Sequence, residues 1–453
     1  MSGRIGNEAA VEHTLQALRA AGIRSGEVYL RESASGTVEV KDGAIETQTA
    51  RGERGLGVRV IDDARPGFAY TTDVTESGIA ECVDLARAMS RVTEPDPDLH
   101  VAAEVPPAVD LKVHDPRVAE RDAAARAEVA FGVERAARAT DPRITTFRKT
   151  EYTDAEATTV LATTAGMHGS YRESSCAAST SAVAAADGQR QIGFHLEGGR
   201  SVDEVDPAAV GRRAAEMAAR KLGARTFETA KMAIVLDPWM GQQLLGALTP
   251  MFSADNVQKG RSLFAGKVGQ RVASEGVTLV DDPRRTGGSR SAPFDGEGIA
   301  TQRLTLVERG TLRGYLHSIK TASHDGAPPT GNARRGSYGG PARIAPSNFH
   351  IAAGTDDPRE LRRRFDRALE ITALLNLHTI DPISGEFSLG AAGIVLERGE
   401  ATYPVEGITI AGNLTHLLSS VAGVGSDLTF KRPMGLGSPT LLIADISVGG
   451  TSR

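Results

Sequence analysis

Ser384-Gly385-Glu386-Phe387-Ser388-Leu389-Gly390-Ala391-Ala392-Gly393 is followed, about twenty residues after its start, by Tyr403-Pro404-Val405-Glu406-Gly407-Ile408-Thr409-Ile410-Ala411-Gly412-Asn413. The apolar residues of both segments alternate as they do in strands, yet glycine and other small residues interrupt them. Glycine within a strand pattern marks a bulge or a place where another backbone comes close. The pair therefore predicts a sheet surface that receives an extended ligand. The glycine-rich sequence from 250 to 354 carries the same short strand patterns, with helices expected only at 238–249 and 358–375. Few helices and many short strands predict a C-terminal domain over 227–453 that is mainly antiparallel and barrel-like or curved.

Towards the N-terminus the period changes. Residues 8–21 place Val11, Leu15 and Leu18 at helical spacing. Strand patterns follow over 27–31, 37–41, 44–50, 55–61 and 67–72, then a helical pattern over 75–90. The Pro- and Asp-rich segment 93–116 has the composition of a connector. Beyond it the order recurs: a helix over 118–139, strands over 145–153, 158–163, 167–177, 179–186 and 189–198, and a helix over 207–222. Residues 1–226 thus read as a duplicated α/β region with halves 1–116 and 117–226. The fold class is α+β, a duplicated helix–strands–helix part followed by the β-rich domain.

Composition narrows the function. The chain has 453 residues, of which 40% are hydrophobic and 24% charged, and a formal net charge of −5. Those values suit a soluble globular protein with room for two or three domains. No basic block is present, which argues against a nucleic-acid surface, and Arg362-Arg363-Arg364 reads as a solvated helix face. Cys82 and Cys176 are far apart and form no C-x-x-C, so they read as packing residues rather than as a disulfide or a nucleophile. The first dozen residues carry no apolar leader, and no stretch approaches the ~20 apolar residues that span a bilayer. A cytoplasmic protein with no membrane and no nucleic-acid partner is expected.

Further short motifs accompany the C-terminal run: Phe264-Ala265-Gly266-Lys267-Val268-Gly269, Asp281-Asp282-Pro283, Pro293-Phe294-Asp295-Gly296-Glu297-Gly298, Thr330-Gly331-Asn332-Ala333-Arg334 and Ile446-Ser447-Val448-Gly449-Gly450. In their order and spacing the chain resembles the TldD/PmbA peptidases, most closely the PmbA (TldE) branch. The resemblance is dense over about residues 231–450 and extends N-terminally only in layout. It implies a two-part fold, a dimer enclosing a chamber, and hydrolysis of peptide or amide bonds in small, unstructured substrates.

The metal motif departs from that pattern. Zinc-bearing members carry H-E-x-x-x-H on the helix after the strand at 232–236, with a cysteine near the C-terminus as third ligand. Such a centre needs two imidazoles on one helical face, a carboxylate to accept a proton from the zinc-bound water, and an open fourth position. Here the matching stretch, anchored on Gly241, reads Leu245-Gly246-Ala247-Leu248-Thr249-Pro250. Leu245 stands for the first His, Gly246 for the Glu and Pro250 for the second His, and Lys431-Arg432-Pro433-Met434-Gly435-Leu436-Gly437 runs into Ser438 without a cysteine. No metal and no cofactor is expected. His317 and His324 do not replace the pair: on a helix they would lie ~10.5 Å apart along the axis, too far for one zinc with ligands at about 2.0–2.1 Å.

Other residues could act without metal. Asp295 and Glu297, two apart in a glycine-rich loop, suit either acid–base work or turn stabilisation. Ser384 and Ser388 are candidate nucleophiles that need a neighbouring base, for which His317 and His378 are available. No G-x-S-x-G elbow is present. The catalytic candidates are Asp295, Glu297, His317 and Ser384, with Lys267 and Lys320 as aids to an oxyanion. Thr330, Gly331 and Asn332, with Ser384, Gly385, Glu386 and Phe387, are expected on exposed loops where a peptide backbone comes close. Three functions stay open at this point: a zinc-free, substrate-holding subunit paired with a zinc-bearing TldD-type homologue, a free-standing metal-independent amide hydrolase working as a homodimer, and a non-catalytic peptide-binding scaffold. All three take a small peptide or amide as ligand.

Overall fold

The structure, a computed structural model, describes residues 5–430 and 433–450. Lys431 and Arg432, which open the cysteine-free run, lie outside them. No helix among the described residues is long and apolar enough to cross a membrane.

The N-terminal chain folds into one antiparallel six-stranded sheet in the order Arg65–Thr71, Ala44–Asp62, Ser25–Lys41, Ile144–Thr163, His168–Ala186, Gln189–Gly199. Two helix–three-strand–helix units meet edge to edge where Ser25–Lys41 pairs with Ile144–Thr163. The helices Asn7–Ala20 and Glu76–Ser90 belong to the first unit, Ala123–Thr140 and Pro207–Ala219 to the second. Segments expected as separate strands run together. The small residues from Ser33 to Gly36 read as breaks, but they stay in register opposite 50–53. Asp42 and Gly43, both at positive φ, close the hairpin.

The outer strand of each unit carries a glycine where a helix crosses it. A Cβ on Gly67 would lie 1.9 Å from the carbonyl oxygen of Ala86, and one on Gly193 would lie 2.0 Å from that of Ala214. Corresponding positions of the two units thus solve helix-on-sheet packing in the same way. Thr75, Asp122 and Asp206 cap three of these helices by accepting a backbone N–H.

In the C-terminal chain, Glu400–Asn413, Glu386–Glu397, Arg367–Leu375, Ala230–Leu236 and Leu441–Gly449 pair in that order. Pairing of Thr409 with Gly449 and of Ala411 with Ser447 closes them into a barrel. All contacts around it are antiparallel except that between Ala230–Leu236 and Arg367–Leu375. The expected barrel-like sheet is therefore present. Ile234, Leu236, Leu369, Ile371, Leu389, Ile410 and Ile443 belong to its main core, while Ala233, Val235, Ala368, Ile394 and Leu442 pack a second cluster on the opposite face.

Two expectations fail here. The helix expected over 358–375 covers only Pro358–Arg363, and Arg367–Leu375 is a barrel strand. Its run Ala368–Ile371 is buried on both faces, so it lacks the alternation that reveals a half-exposed strand. The opening run, in turn, does not present an open receiving surface. Glu386–Glu397 and Glu400–Asn413 form a hairpin, and Arg367–Leu375 occupies the other edge of Glu386–Glu397. The pairing slips at Ala391/Gly393, and a Cβ on Gly393 would lie 2.8 Å from the carbonyl oxygen of Glu370. The glycines do mark a bulge and a close backbone, but that backbone is the chain's own.

Candidate functional site

The turn Asp295-Gly296-Glu297 lies where the N-terminal sheet meets the C-terminal chain. Asp295 Oδ1 accepts the backbone N–H of Glu297 at 2.9 Å and of Ile299 at 3.0 Å, and Oδ2 accepts that of Ala333 at 2.9 Å. Glu297 Oε2 accepts the N–H of Ile319 at 2.8 Å, at the start of the helix Ile319–Asp325. Both residues are buried, at 6% exposure. Burial, followed by the charge of Glu297, pushes Asp295 up to about 7. Burial also raises Glu297, with Arg59 opposing. Each carboxyl thus organises backbone, which is the turn-stabilising role open to it from sequence.

A buried ion cluster faces this turn. Glu27 and Arg59 stand opposite each other in the first hairpin, with Arg59 Nη2 2.8 Å from Glu27 Oε2. Arg335, from the C-terminal chain, donates from Nη2 to Glu27 Oε1, and from Nε to the carbonyl oxygen of Gly296 at 2.7 Å. Its guanidinium lies 5.0 Å from the ring centre of Tyr29. Arg59 Nη1 stands 3.9 Å from Glu297 Oε1. Burial pulls Glu27 upward, but Arg59 and Arg335 outweigh it and hold the carboxyl below its ordinary range. Sequence reasoning missed Glu27, Arg59 and Arg335. Counting could not find the pair: outward from the turn at Asp42-Gly43 it brings position 27 opposite 58, and only the bulge at Glu39/Val40 shifts the partner to Arg59.

The other sequence candidates do not assemble into a metal-free catalytic set. His317 is buried, precedes the helix cap Ser318, and exchanges backbone hydrogen bonds with Thr330 Oγ1. Its Nδ1 is buried without a partner, and burial lowers its proton affinity. His324 is on the helix but pairs with Asp98 at 3.1 Å. Ser384 Oγ accepts the N–H of Glu386 at 3.2 Å, and His378 is exposed on a different turn. Among the described residues no hydrogen bond joins a histidine to Ser384. Lys320 Nζ is 2.5 Å from Asp96 Oδ2. Cys82 and Cys176 are buried, and burial pushes both thiols up to about 11, consistent with packing roles.

The expected exposed loops need correction. Thr330, Gly331 and Asn332 are buried. Gly331 adopts φ +76°, with Ala300 and Thr301 backbone 2.8 Å from where a Cβ would stand. Asn332 Nδ2 donates to buried Asp281 at 2.7 Å, and Ser347 supplies two further donors to that carboxylate. These residues latch the β-rich region together. Gly385 and Phe387 are likewise buried, Phe387 within the barrel core, and only Ser384 and Glu386 of that group are exposed. Polar and glycine-rich letters suggested a surface loop, whereas the side chains meet buried partners.

The helix Pro238–Leu248 and the turn after it carry the positions matched to the zinc motif. Leu245 is 1% exposed and packs in the core, and a Cβ on Gly246 would already lie 3.3 Å from Leu436. Pro250 sits in the short helical turn Thr249–Phe252 that ends this helix. No group of three or more His, Cys, Asp or Glu among the described residues could hold a metal ion. The side chains of Leu245, Gly246 and Pro250 offer zinc no donor atom.

Pro250 instead faces a cleft of about 690 Å³ between the two halves, lined also by Arg59, Glu297, Ser318, Lys320 and the segment 341–346. Arg343–Ile344 in that segment pairs with Ala333–Arg334 on one side, and no second strand pairs with it among the described residues. The cleft therefore combines a short strand with a free edge, side chains of both charges and the end of the helix just described.

Residues 229–450 match the PmbA/TldA metallopeptidase C-terminal domain, 26–90 match domain 1 and 116–222 match the central domain. Metalloprotease PmbA of Escherichia coli O157:H7 is 27% identical over 428 residues, covering 94% of this chain and 92% of that protein. A metalloprotease TldD homologue of Haemophilus influenzae is 26% identical, covering 94% and 93%. A candidate DNA gyrase modulator from Thermotoga maritima superposes with a TM-score of 0.90 at 26% identity, over 98% of this chain and all of that one (100%). TldE from Thermococcus kodakarensis shares the fold, with a TM-score of 0.88 at 21% identity over 98% and 99%.

Proposed function

This chain belongs to the TldD/PmbA family of metalloprotease-like proteins, and from that premise we propose that it serves peptide or amide hydrolysis as a zinc-free subunit. It holds the substrate in a closed chamber while a zinc-bearing TldD-type partner performs the chemistry. The observation that carries this reading is the helix Pro238–Leu248 and its end. By the resemblance, Leu245, Gly246 and Pro250 stand where zinc-bearing members carry the metal-binding motif; Leu245 is packed in the core, and a cleft adjoins the end of the helix.

The free edge of Arg343–Ile344 supports the holding role. An extended peptide laid along it gains main-chain hydrogen bonds that do not depend on side-chain identity. Arg59, Lys320 and Glu297 supply charges for its ends and side chains. The free-standing hydrolase reading needs a base beside a nucleophile, and the hydrogen bonds of Ser384 and His317 do not supply one.

Co-purification with a zinc-bearing homologue from the same cell tests the proposal. The expected result is a mixed complex in native mass spectrometry, with zinc assigned to the partner alone. A self-paired protein that retains stoichiometric zinc after dialysis would overturn it.

A further inference from the structure

On the other side of the Asp295–Glu297 turn lies a second cavity, of about 540 Å³, between the face of the N-terminal sheet and the C-terminal chain. Arg335 lines both this cavity and the cleft. Arg31, Arg200, Arg290 and Arg334 also line it. Three of the five arginines have carboxylate partners. Glu173 takes Arg31 at 2.8 Å and Arg200 at 2.7 Å, and Glu27 takes Arg335.

Arg290 and Arg334 are different. Neither has a carboxylate within ion-pair distance among the described residues. Arg334 donates from Nη2 to the backbone carbonyl oxygen of Arg290 at 2.8 Å, which sets its guanidinium against the Arg290 main chain, and its Nε is buried without a hydrogen-bond partner. Arg290 remains accessible at the cavity wall. Crowding by protein atoms, then the charge of Arg334, lowers the hold of Arg290 on a proton, with Glu173 opposing. Glu173 acts on Arg290 and Arg334 acts on Asp281, but both from beyond ion-pair distance, which leaves the direct contact at this wall to an entering anion. The planar donor forks of Arg290 and Arg334 match the geometry of a carboxylate.

We infer that this cavity receives a carboxylate of the held peptide, either its C-terminus or an acidic side chain, on Arg290 and Arg334. The inference rests on the peptide-holding reading for the source of the carboxylate. It gives that reading a polarity, because the acidic end of the substrate would lie on the Arg290 side of the turn.

Calorimetry on the full-length protein tests it in two arms. In the first, an alanine pentapeptide is titrated with a free C-terminus and again as its amide. The free acid is expected to bind about tenfold more tightly or better, and Arg290→Gln and Arg334→Gln are expected to abolish that difference. In the second, glutarate and inorganic phosphate are titrated without peptide. Saturable glutarate uptake that Arg290→Gln weakens is expected. Arg290→Lys, which keeps the charge and loses the fork, is expected to be intermediate, and unchanged melting temperatures exclude misfolding. Equal binding of acid and amide with no glutarate uptake overturns the inference while leaving peptide holding intact. Phosphate uptake in place of glutarate overturns the carboxylate assignment. Glutarate uptake without peptide binding upholds the anion site and removes the peptide-holding reading.

Discussion

Replacing Glu27 by Gln keeps the side chain's size and removes its charge. In the native protein its carboxylate serves Arg59 and Arg335 together, with side-chain exposures of 1% for Glu27, 10% for Arg59 and 1% for Arg335. A glutamine oxygen can still accept from one arginine, but its NH2 then faces the other. Breaking a buried pair on one side costs about 3–5 kcal/mol. Arg59 retains Glu297 at 3.9 Å, which places the expected loss near the lower end of that range. Urea denaturation followed by circular dichroism measures it. Glu275→Gln is the control, because its pair with Arg309 is exposed (60% and 74%) and is expected to be worth less than about 1 kcal/mol. The pH dependence supplies a second test. Glu27 is held below its ordinary value of 4.5, so its contribution is present above that pH and is lost as pH falls through the native value. The gap between wild type and Glu27→Gln should therefore close in acid. A Glu27→Gln cost no larger than that of Glu275→Gln, at any pH, would refute the claim that this cluster fastens the N-terminal sheet to the C-terminal chain.

Asp295 has the opposite sign. Its value is raised from 3.8 to about 7, so its contribution to stability is fully present below 3.8 and declines as pH rises through about 7; melting curves of Asp295→Asn should lose that part of the pH dependence. Gly67→Ala and Gly193→Ala each force a Cβ to about 2 Å from a helix carbonyl oxygen. Each should destabilise by at least the 1–3 kcal/mol typical of overpacking, read as a lowered urea midpoint. Asn332→Ala strips a donor from the buried Asp281 carboxylate and should cost about 1–3 kcal/mol; an unchanged midpoint together with weaker peptide binding would instead favour a substrate role for Asn332.

Where periodicity reports a one-sided environment, the sequence was readable. The first helix, with Leu15 and Leu18 buried against the sheet, is one case. The recurrence of helix, strands and helix is another, because each unit has one face to cover. Periodicity failed at Arg367–Leu375, where burial on both faces removes the alternation. It also missed the helix Ile319–Asp325, although Ser318 and Thr321 form a capping box and Gly326 ends the helix at φ +61°. In the site, the Asp295 turn was legible because its partners are two and four residues away. The Glu27–Arg59–Arg335 cluster was not, since Arg335 reaches Glu27 across 308 positions of sequence. Thr330–Asn332 misled because polar residues that satisfy one another inside a protein resemble those of a solvated loop.

Turnover of a defined peptide pool, followed by mass spectrometry, tests the central claim most directly. The purified chain is assayed alone, with a zinc-bearing TldD-type homologue, and with both in excess EDTA. The account predicts no cleavage by the chain alone, cleavage by the mixture at a rate above that of the homologue alone, and its loss in EDTA. Sustained cleavage by the chain alone in EDTA would contradict it.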